Sequence, residues 1–366
     1  MKYDFRVSKH HDPASESRAR ASAAFERSAG RAGAMDGSDT LADVLRSVRL
    51  TGALLFLVEA AAPWVTEAPR SNVFASVLLP DVEHVVSYHI VTEGSCWAGL
   101  VGEPLVRCEP GDILVVPHGD AYLLASAQGL RADYGNEATL TFFREMAQGK
   151  VPPVVSEGSG GPLATRFLCG FLGCDLRPFN PVLSALPRMI HLRRPARQAD
   201  RLDHLIEFAR GEIREHESGA QTVLLRLSEL LFVELIRRYL RSLPSDQLGW
   251  FAALRDPIIG RALKLLHNRA AYGWTLAELA SAVGSSRSAL SDRFNQLVGQ
   301  PPMQYLMQWR MQLAARLLND GAAKVSTVAS EVGYESEAAF SRAFKKTTGV
   351  APVVWRKRLS DTGPSA

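Results

Sequence analysis

Cysteine is scarce, with four residues in a chain of 366. So few thiols at unrelated spacings exclude a disulfide framework and fit a reducing compartment. Long apolar runs are missing too. The longest near the front, Ala53 to Val58, is about a third of a membrane span, and no secretory apolar region follows the first methionine. Neither sign of charge dominates, with 42 Lys or Arg against 38 Asp or Glu. At 46% apolar and 22% charged residues, a mainly disordered, collagen-like or coiled-coil chain is excluded. There is no P-loop, no G-x-S-x-G and no metalloprotease motif. What remains is a soluble globular protein, expected in the cytoplasm and long enough for two domains.

The small net charge conceals an uneven distribution. Residues 257–358 hold 14 Lys or Arg against 6 Asp or Glu, a net of +8, and the rest of the chain nets −4. A basic carboxyl-terminal third suggests a polyanionic partner, with a merely solvated basic surface as the alternative. Residues 1–37 are rich in Arg, Ser, Ala and His and show no sustained apolar period, which reads as a disordered extension. The folded part is expected to start near Met35, the first 34 residues being an upstream start or a transit peptide.

Within a first domain of 38–197, the stretch from about Thr51 to Leu192 reads as strands. Short apolar runs (Ala53–Val58, Val73–Leu79, His84–Val91, Ile113–Val116) are separated by Gly, Pro, Asp and Asn, the pattern of an all-β barrel or sandwich. Within a linker region of 198–256, the period turns helical from Gln198 to Leu243. Leu202, Leu205, Ile206 and Ala209 form one stripe. Leu224, Leu227, Leu230, Leu231, Val233, Leu235 and Ile236 form another, and Gly219 separates the two. The second helix is apolar enough to be buried on more than one side, against the barrel or a second copy. Leu243-Pro244-Ser245-Asp246 reads as a linker, and 359–366 as a tail.

The strongest signal is a repeat within 257–358. Ala280-Ser281-Ala282-Val283-Gly284 recurs as Ala329-Ser330-Glu331-Val332-Gly333, 49 residues later. Leu290 and Phe294 recur as Phe340 and Phe344, Gly299 and Pro302 as Gly349 and Pro352, and Tyr305 as Trp355, each 50 residues later. Each unit has the grammar of a helix-turn-helix. Thr275 caps a short helix, Gly284 turns the chain, and Ser286 caps a second helix held down by Leu290, Phe294 and Leu297. In the second unit Ser326 is the expected cap, Gly333 the turn, and Ser336 the start of a helix pinned by Phe340 and Phe344. A helix over 302–319 joins the units. At 1.5 Å per residue it spans roughly 27 Å, near the spacing of successive major grooves on one face of B-DNA.

Removing core positions from each second helix leaves its outward face. In the first unit this is Arg287, Ser288, Ser291, Asp292 and Asn295; in the second it is Glu337, Ala338, Ser341, Arg342, Lys345 and Lys346. Arg342 suits base reading, because a guanidinium binds guanine O6 and N7 together. Asp292 repels phosphate but can accept from a cytosine amine. Lys345, Lys346, Ser286 and the helix N-termini suit phosphate contacts that set register. An ordinary solvated surface is the alternative for any one of them.

Gly333-Tyr334-Glu335-Ser336, then Phe340-Ser341-Arg342-Ala343-Phe344-Lys345-Lys346, Gly349 and Pro352 resemble the signature of the AraC/XylS family of bacterial transcription regulators. The resemblance implies binding to double-stranded DNA through both units and control of transcription by contact with RNA polymerase. One departure is Asp292, where family members often carry a basic residue. Tyr88-His89-Ile90-Val91-Thr92-Glu93-Gly94 and Pro110 to Gly119 resemble a cupin-type sensor domain, as do Cys169 to Cys174 and Pro178 to Pro187. The implied architecture is α+β: an N-terminal all-β cupin-like barrel, a helical pair that dimerises the chain, and an all-α domain with two helix-turn-helix units.

By analogy, His89, Trp97, His118 and Tyr122 would line a pocket for a small-molecule effector. Enzymatic cupins hold a metal with two His and a Glu from one strand pair and a later His. Here His89 and Glu93 could be remnants, but Ser87 and Tyr122 stand where further ligands are expected, so no metal or other cofactor and no catalysis is expected. A metal-dependent cupin enzyme fused to a nucleic-acid module is the competing class. Cys169 and Cys174 are candidate redox thiols, or simply small buried hydrophobes.

Overall fold

The computed structural model describes residues 41, 50–79, 82, 84–133, 135–174, 178–195, 201–215, 217–244, 248–319 and 323–360. The expected N-terminal extension 1–37 and the end of the tail from 361 lie outside them. Two sheets build the first half. The larger takes the order β10-β6-β3-β9-β1-β8 and the smaller β2-β7-β4-β5. The strands are β1 (Leu50–Ala61), β2 (Val65–Ala68), β3 (His84–Gly94), β4 (Cys96–Leu100), β5 (Val106–Cys108), β6 (Ile113–Val116), β7 (Tyr122–Ala125), β8 (Val154–Gly158), β9 (Leu163–Cys174) and β10 (Ile190–Leu192). All pair antiparallel except β1 with β8.

Alternation along the strands gives the large sheet two buried faces. Phe56, Val58, Leu114, Val116, Phe167 and Phe171 point toward the small sheet, where they meet Trp64, Ala98 and Leu124. Their neighbours Leu55, Leu57, Val86, Tyr88, Ile90, Leu168 and Leu172 point the other way, onto helices. Burial on both faces explains why these strands read as unbroken apolar runs.

Helices interrupt the expected all-β stretch in three places, a correction to that reading. Val73–Leu79, read as a strand, lies largely within helix α1 (Ser71–Leu78), which buries Ser71, Phe74, Ala75 and Leu78. That i, i+3, i+4, i+7 spacing is helical, and it overrides the β-branched valines. Helix α2 (Asn136–Ala147) lays Phe143 and Met146 on the same inner core. The short α3 (Pro181–Ala185) is capped by Asn180, whose Oδ1 accepts from Leu183 N at 3.0 Å.

The outer face of the large sheet is covered by α4 (Arg201–Glu215) and α5 (Ala220–Ser242). Their buried residues include Leu202, Ile206, Ala209, Leu227, Leu231, Leu235 and Ile236, whereas Leu230 is exposed. The same apolar core continues into α6 (Trp250–Arg255), α7 (Ile259–Asn268), α8 (Leu276–Val283), α9 (Arg287–Val298) and the start of α10 (Pro302–Asn319). A separate core holds the rest of α10 with α11 (Val325–Glu331), α12 (Glu337–Thr348) and α13 (Pro352–Ser360). A direct tie joins the halves: Phe179, just before α3, donates its N–H to Gln312 Oε1 on α10 at 3.1 Å, and its ring meets Tyr305 edge-on at 5.4 Å.

Candidate nucleic-acid interface and barrel cavity

Each helix-turn-helix is built by the residues its repeat shares. Thr275 and Glu278 form a capping box on α8: Thr275 Oγ1 accepts from Glu278 N, and Glu278 Oε2 accepts from Thr275 N. Ser286 and Ser336 each accept from the backbone N–H three residues on, at 3.2 Å, starting α9 and α12 alike. Phe294 meets Tyr305 edge-on at 5.8 Å, and Phe344 meets Trp355 in the same way at 5.7 Å. The sequence repeat is thus a repeat of packing. One cap differs from expectation: α11 begins at Val325 after Lys324, so Ser326 lies inside the first turn and caps nothing.

The outward faces are open. Ser286, Arg287, Ser288, Asp292 and Asn295 on the first unit are exposed, as are Glu337, Arg342, Lys345 and Lys346 on the second; Ser291 and Ser341 are half-buried. Among the described residues no carboxylate pairs with Arg287, Arg342, Lys345 or Lys346. Arg293, next to that face, is spent internally. Its Nε donates to Asp256 Oδ2 at 2.6 Å, while Asp256 Oδ1 accepts from the N–H groups of Ile258 and Ile259 at the start of α7. Burial raises the Asp256 pKa, but Arg293 and the two N–H groups outweigh it and leave it lowered.

Arg310, midway along α10, is a residue that motif reading missed. It donates through Nε to Ala270 O and through Nη2 to Tyr272 O, both at 2.7 Å, and through Nη1 to Gly333 O at 3.4 Å. Its guanidinium also lies 5.9 Å from the centre of the Tyr334 ring. One side chain on the connecting helix therefore grips the approach to the first unit and the turn of the second.

Between the sheets and α2 lies a cavity of about 270 Å³, walled by Phe56, Phe142, Phe143, Phe167 and Phe171. His89 and Tyr122 of the expected effector pocket line it; Trp97 and His118 do not. Trp97 sits between the buried Cys96 and Ala98 on β4, so alternation turns it away, and His118 Nε2 is bonded to Leu186 O at 2.8 Å. His89 is buried, and its Nδ1 lies 2.9 Å from Cys169 Sγ. Burial pushes its pKa down to about 3, so the ring is neutral. Its Nε2 has no hydrogen-bond partner among the described residues. Glu157 of β8 also lines the cavity, and burial raises its pKa.

The donor set does not fit an enzymatic cupin metal. Glu93 is held by Arg166 and Arg210, and no group of three His, Cys, Asp or Glu among the described residues is placed to hold an ion. Cys169 and Cys174, the candidate redox thiols, do not face each other. They lie five residues apart on one strand, so they face opposite sides, and both are buried in different cores. The two cysteines that face each other are Cys96 and Cys108, opposed in the β4–β5 register.

Two helix-turn-helix units on one connecting helix, with open outward faces of which the second is cationic, joined to a hollow two-sheet barrel, define a DNA-binding transcription regulator. Residues 39–241 match the family model described as Cupin, and residues 279–358 the one described as Helix-turn-helix domain. An AraC-like transcription regulator of Streptomyces antibioticus is 30% identical over 76% of this chain and 88% of its own length. The HTH-type transcriptional regulator AlkR of Acinetobacter baylyi is 28% identical over 74% of this chain and 87% of its own. The DNA-binding domain of AdpA, solved with a target DNA, is 27% identical over 30% of this chain and 99% of that one, with a TM-score of 0.28. The chain belongs to the AraC family of transcription regulators, in the branch with an N-terminal cupin domain. No helix among the described residues is long and apolar enough to cross a membrane.

Proposed function

We propose that this regulator reads a specific operator with both units, and that a small molecule in the barrel cavity biases that reading. The reading rests above all on the four exposed cations of the outward faces, Arg287, Arg342, Lys345 and Lys346, which no carboxylate among the described residues pairs. It is a non-catalytic role, exercised at the chromosome in the cytoplasm and transmitted by contact with RNA polymerase. Arg342 is the base reader. Arg342→Ala is expected to cost about 1–3 kcal/mol on the operator and little on random DNA, measured by fluorescence anisotropy. An equal loss on both would reduce Arg342 to a phosphate contact. Binding should also fall steeply with salt, since cationic side chains release counterions; a flat salt profile would refute the DNA role.

The regulator acts as a homodimer through α4 and α5. Phe208 on α4 and Val223 and Leu230 on α5 are large apolar side chains left exposed, and the latter two stand i, i+7 on one helix face. Leu230→Arg is expected to convert a dimer to a monomer in sedimentation equilibrium without loss of helicity. A dimer that survives the charge places the seam elsewhere.

A further inference from the structure

On the reading that the barrel takes an effector, the cavity itself restricts what that effector can be. We propose that it is an apolar, ring-sized molecule carrying a protonated nitrogen held by Glu157, and that apolar carboxylates are rejected. At about 270 Å³ the space lies near the lower end of small-molecule sites, which run from roughly 300 to 1,000 Å³. Its walls are phenylalanine rings from both faces of the hollow, whose π-clouds attract cations and do not hydrogen-bond anions. None of the described residues lining it is Lys or Arg.

Two carboxylates line the cavity, and they differ. Glu67 is already neutralised by a forked pair with Arg131, whose Nε and Nη2 donate to its two oxygens at 3.0 and 2.7 Å. Glu157 has no cation beside it among the described residues. Its field reaches inward: after burial, it is the next cause holding the Cys169 thiol well above its ordinary pKa. An incoming carboxylate would meet that field with nothing to offset it, whereas an ammonium group would be drawn to it.

The charge belongs at the Glu157 end. Beside His89, burial alone already keeps a ring from taking a proton, so the apolar body of the ligand must extend that way. His89 Nε2, without a hydrogen-bond partner among the described residues, then offers that body one neutral hydrogen bond.

The test uses the full chain and three probes on one two-ring skeleton: 1-naphthylmethylamine, 1-naphthalenemethanol and 1-naphthoate. Isothermal titration is expected to show the amine at least tenfold tighter than the alcohol, and no binding of the carboxylate. Glu157→Gln, nearly isosteric, should bring the amine down to the alcohol and leave the alcohol within twofold. If the carboxylate binds as well as the amine, or Glu157→Gln leaves the order unchanged, charge selection is wrong while the cavity reading survives. If none of the three binds, the effector reading falls together with the proposal.

Discussion

Alanine at position 333 is expected to abolish operator binding, while alanine at 284, the matching turn of the first unit, weakens the protein only modestly. Both glycines hold a left-handed backbone, φ +82° and +71°, so each substitution carries a strain of roughly 1–2 kcal/mol. Their surroundings differ. A Cβ on Gly284 would point into open space, but one on Gly333 would stand 2.4 Å from Ala271 O and 2.8 Å from two further backbone atoms of that residue. Backbone cannot rotate away as a side-chain end can, and overpacking adds about 1–3 kcal/mol. Relief would require the second unit's turn to leave the Ala270–Tyr272 segment, which Arg310 holds by two short bonds. The units would then lose their fixed relation and could not engage successive grooves together. Urea unfolding should place Gly333→Ala about 2–5 kcal/mol below the parent and Gly284→Ala about 1–2. Anisotropy on an intact operator should lose the Gly333→Ala complex first. Equal effects at the two positions would mean the contact with Ala271 does not set the geometry of the pair.

The same two glycines mark how far the sequence could be read. Each announces a turn, because the repeat aligns them. The second constraint on Gly333 comes from Ala271, distant in the chain, and no local pattern reports it. Arg310 is hidden for the same reason: its three acceptors are backbone carbonyls, which carry no residue identity. The repeat itself was legible because a core contact such as Phe294 with Tyr305 needs large rings on both sides, and its counterpart needs them again at Phe344 and Trp355.

In the barrel, His89 and Tyr122 stood out as polar groups on apolar strands. Phe167 and Phe171 are equally readable from alternation on β9, on the same face as Cys169, the candidate thiol. Phe142 and Phe143 are not, since they stand on a helix inside a stretch whose pattern reads as strand. A seven-residue apolar run such as Val73–Leu79 fits either period, and only the partner surface decides.

Between pH 7 and pH 5 the protein is expected to lose about 4 kcal/mol of stability, a large share of what a domain of ordinary stability has. Two buried histidines carry this. His267 accepts at Nε2 from Tyr305 Oη at 2.8 Å, Tyr305 in turn accepting from Trp250 Nε1, and its ring stacks on Trp309 at 4.0 Å. Its Nδ1 has no partner among the described residues, and burial pushes its pKa down to about 3, as for His89. In the unfolded chain both return to about 6.5. Below that pH the unfolded state binds two protons that the folded state refuses, so stability is complete above about 6.5 and falls by about 1.4 kcal/mol per unit for each ring. His84, also lowered by burial, acts in the same direction. His191 is raised by its bonds to Cys108 and Asp112, so it works in the opposite sense, adding stability as pH falls toward about 6.5 and no slope well below it. Lowered carboxylates such as Asp256 act only further down, near their own range. Denaturant midpoints at half-unit steps from pH 7 to 5 give the slope. His267→Gln and His89→Gln should each remove about half of it, because glutamine keeps an acceptor and does not titrate. A flat profile in the parent would mean that both rings can take their protons inside the fold, and that the apolar walls around His89 admit water.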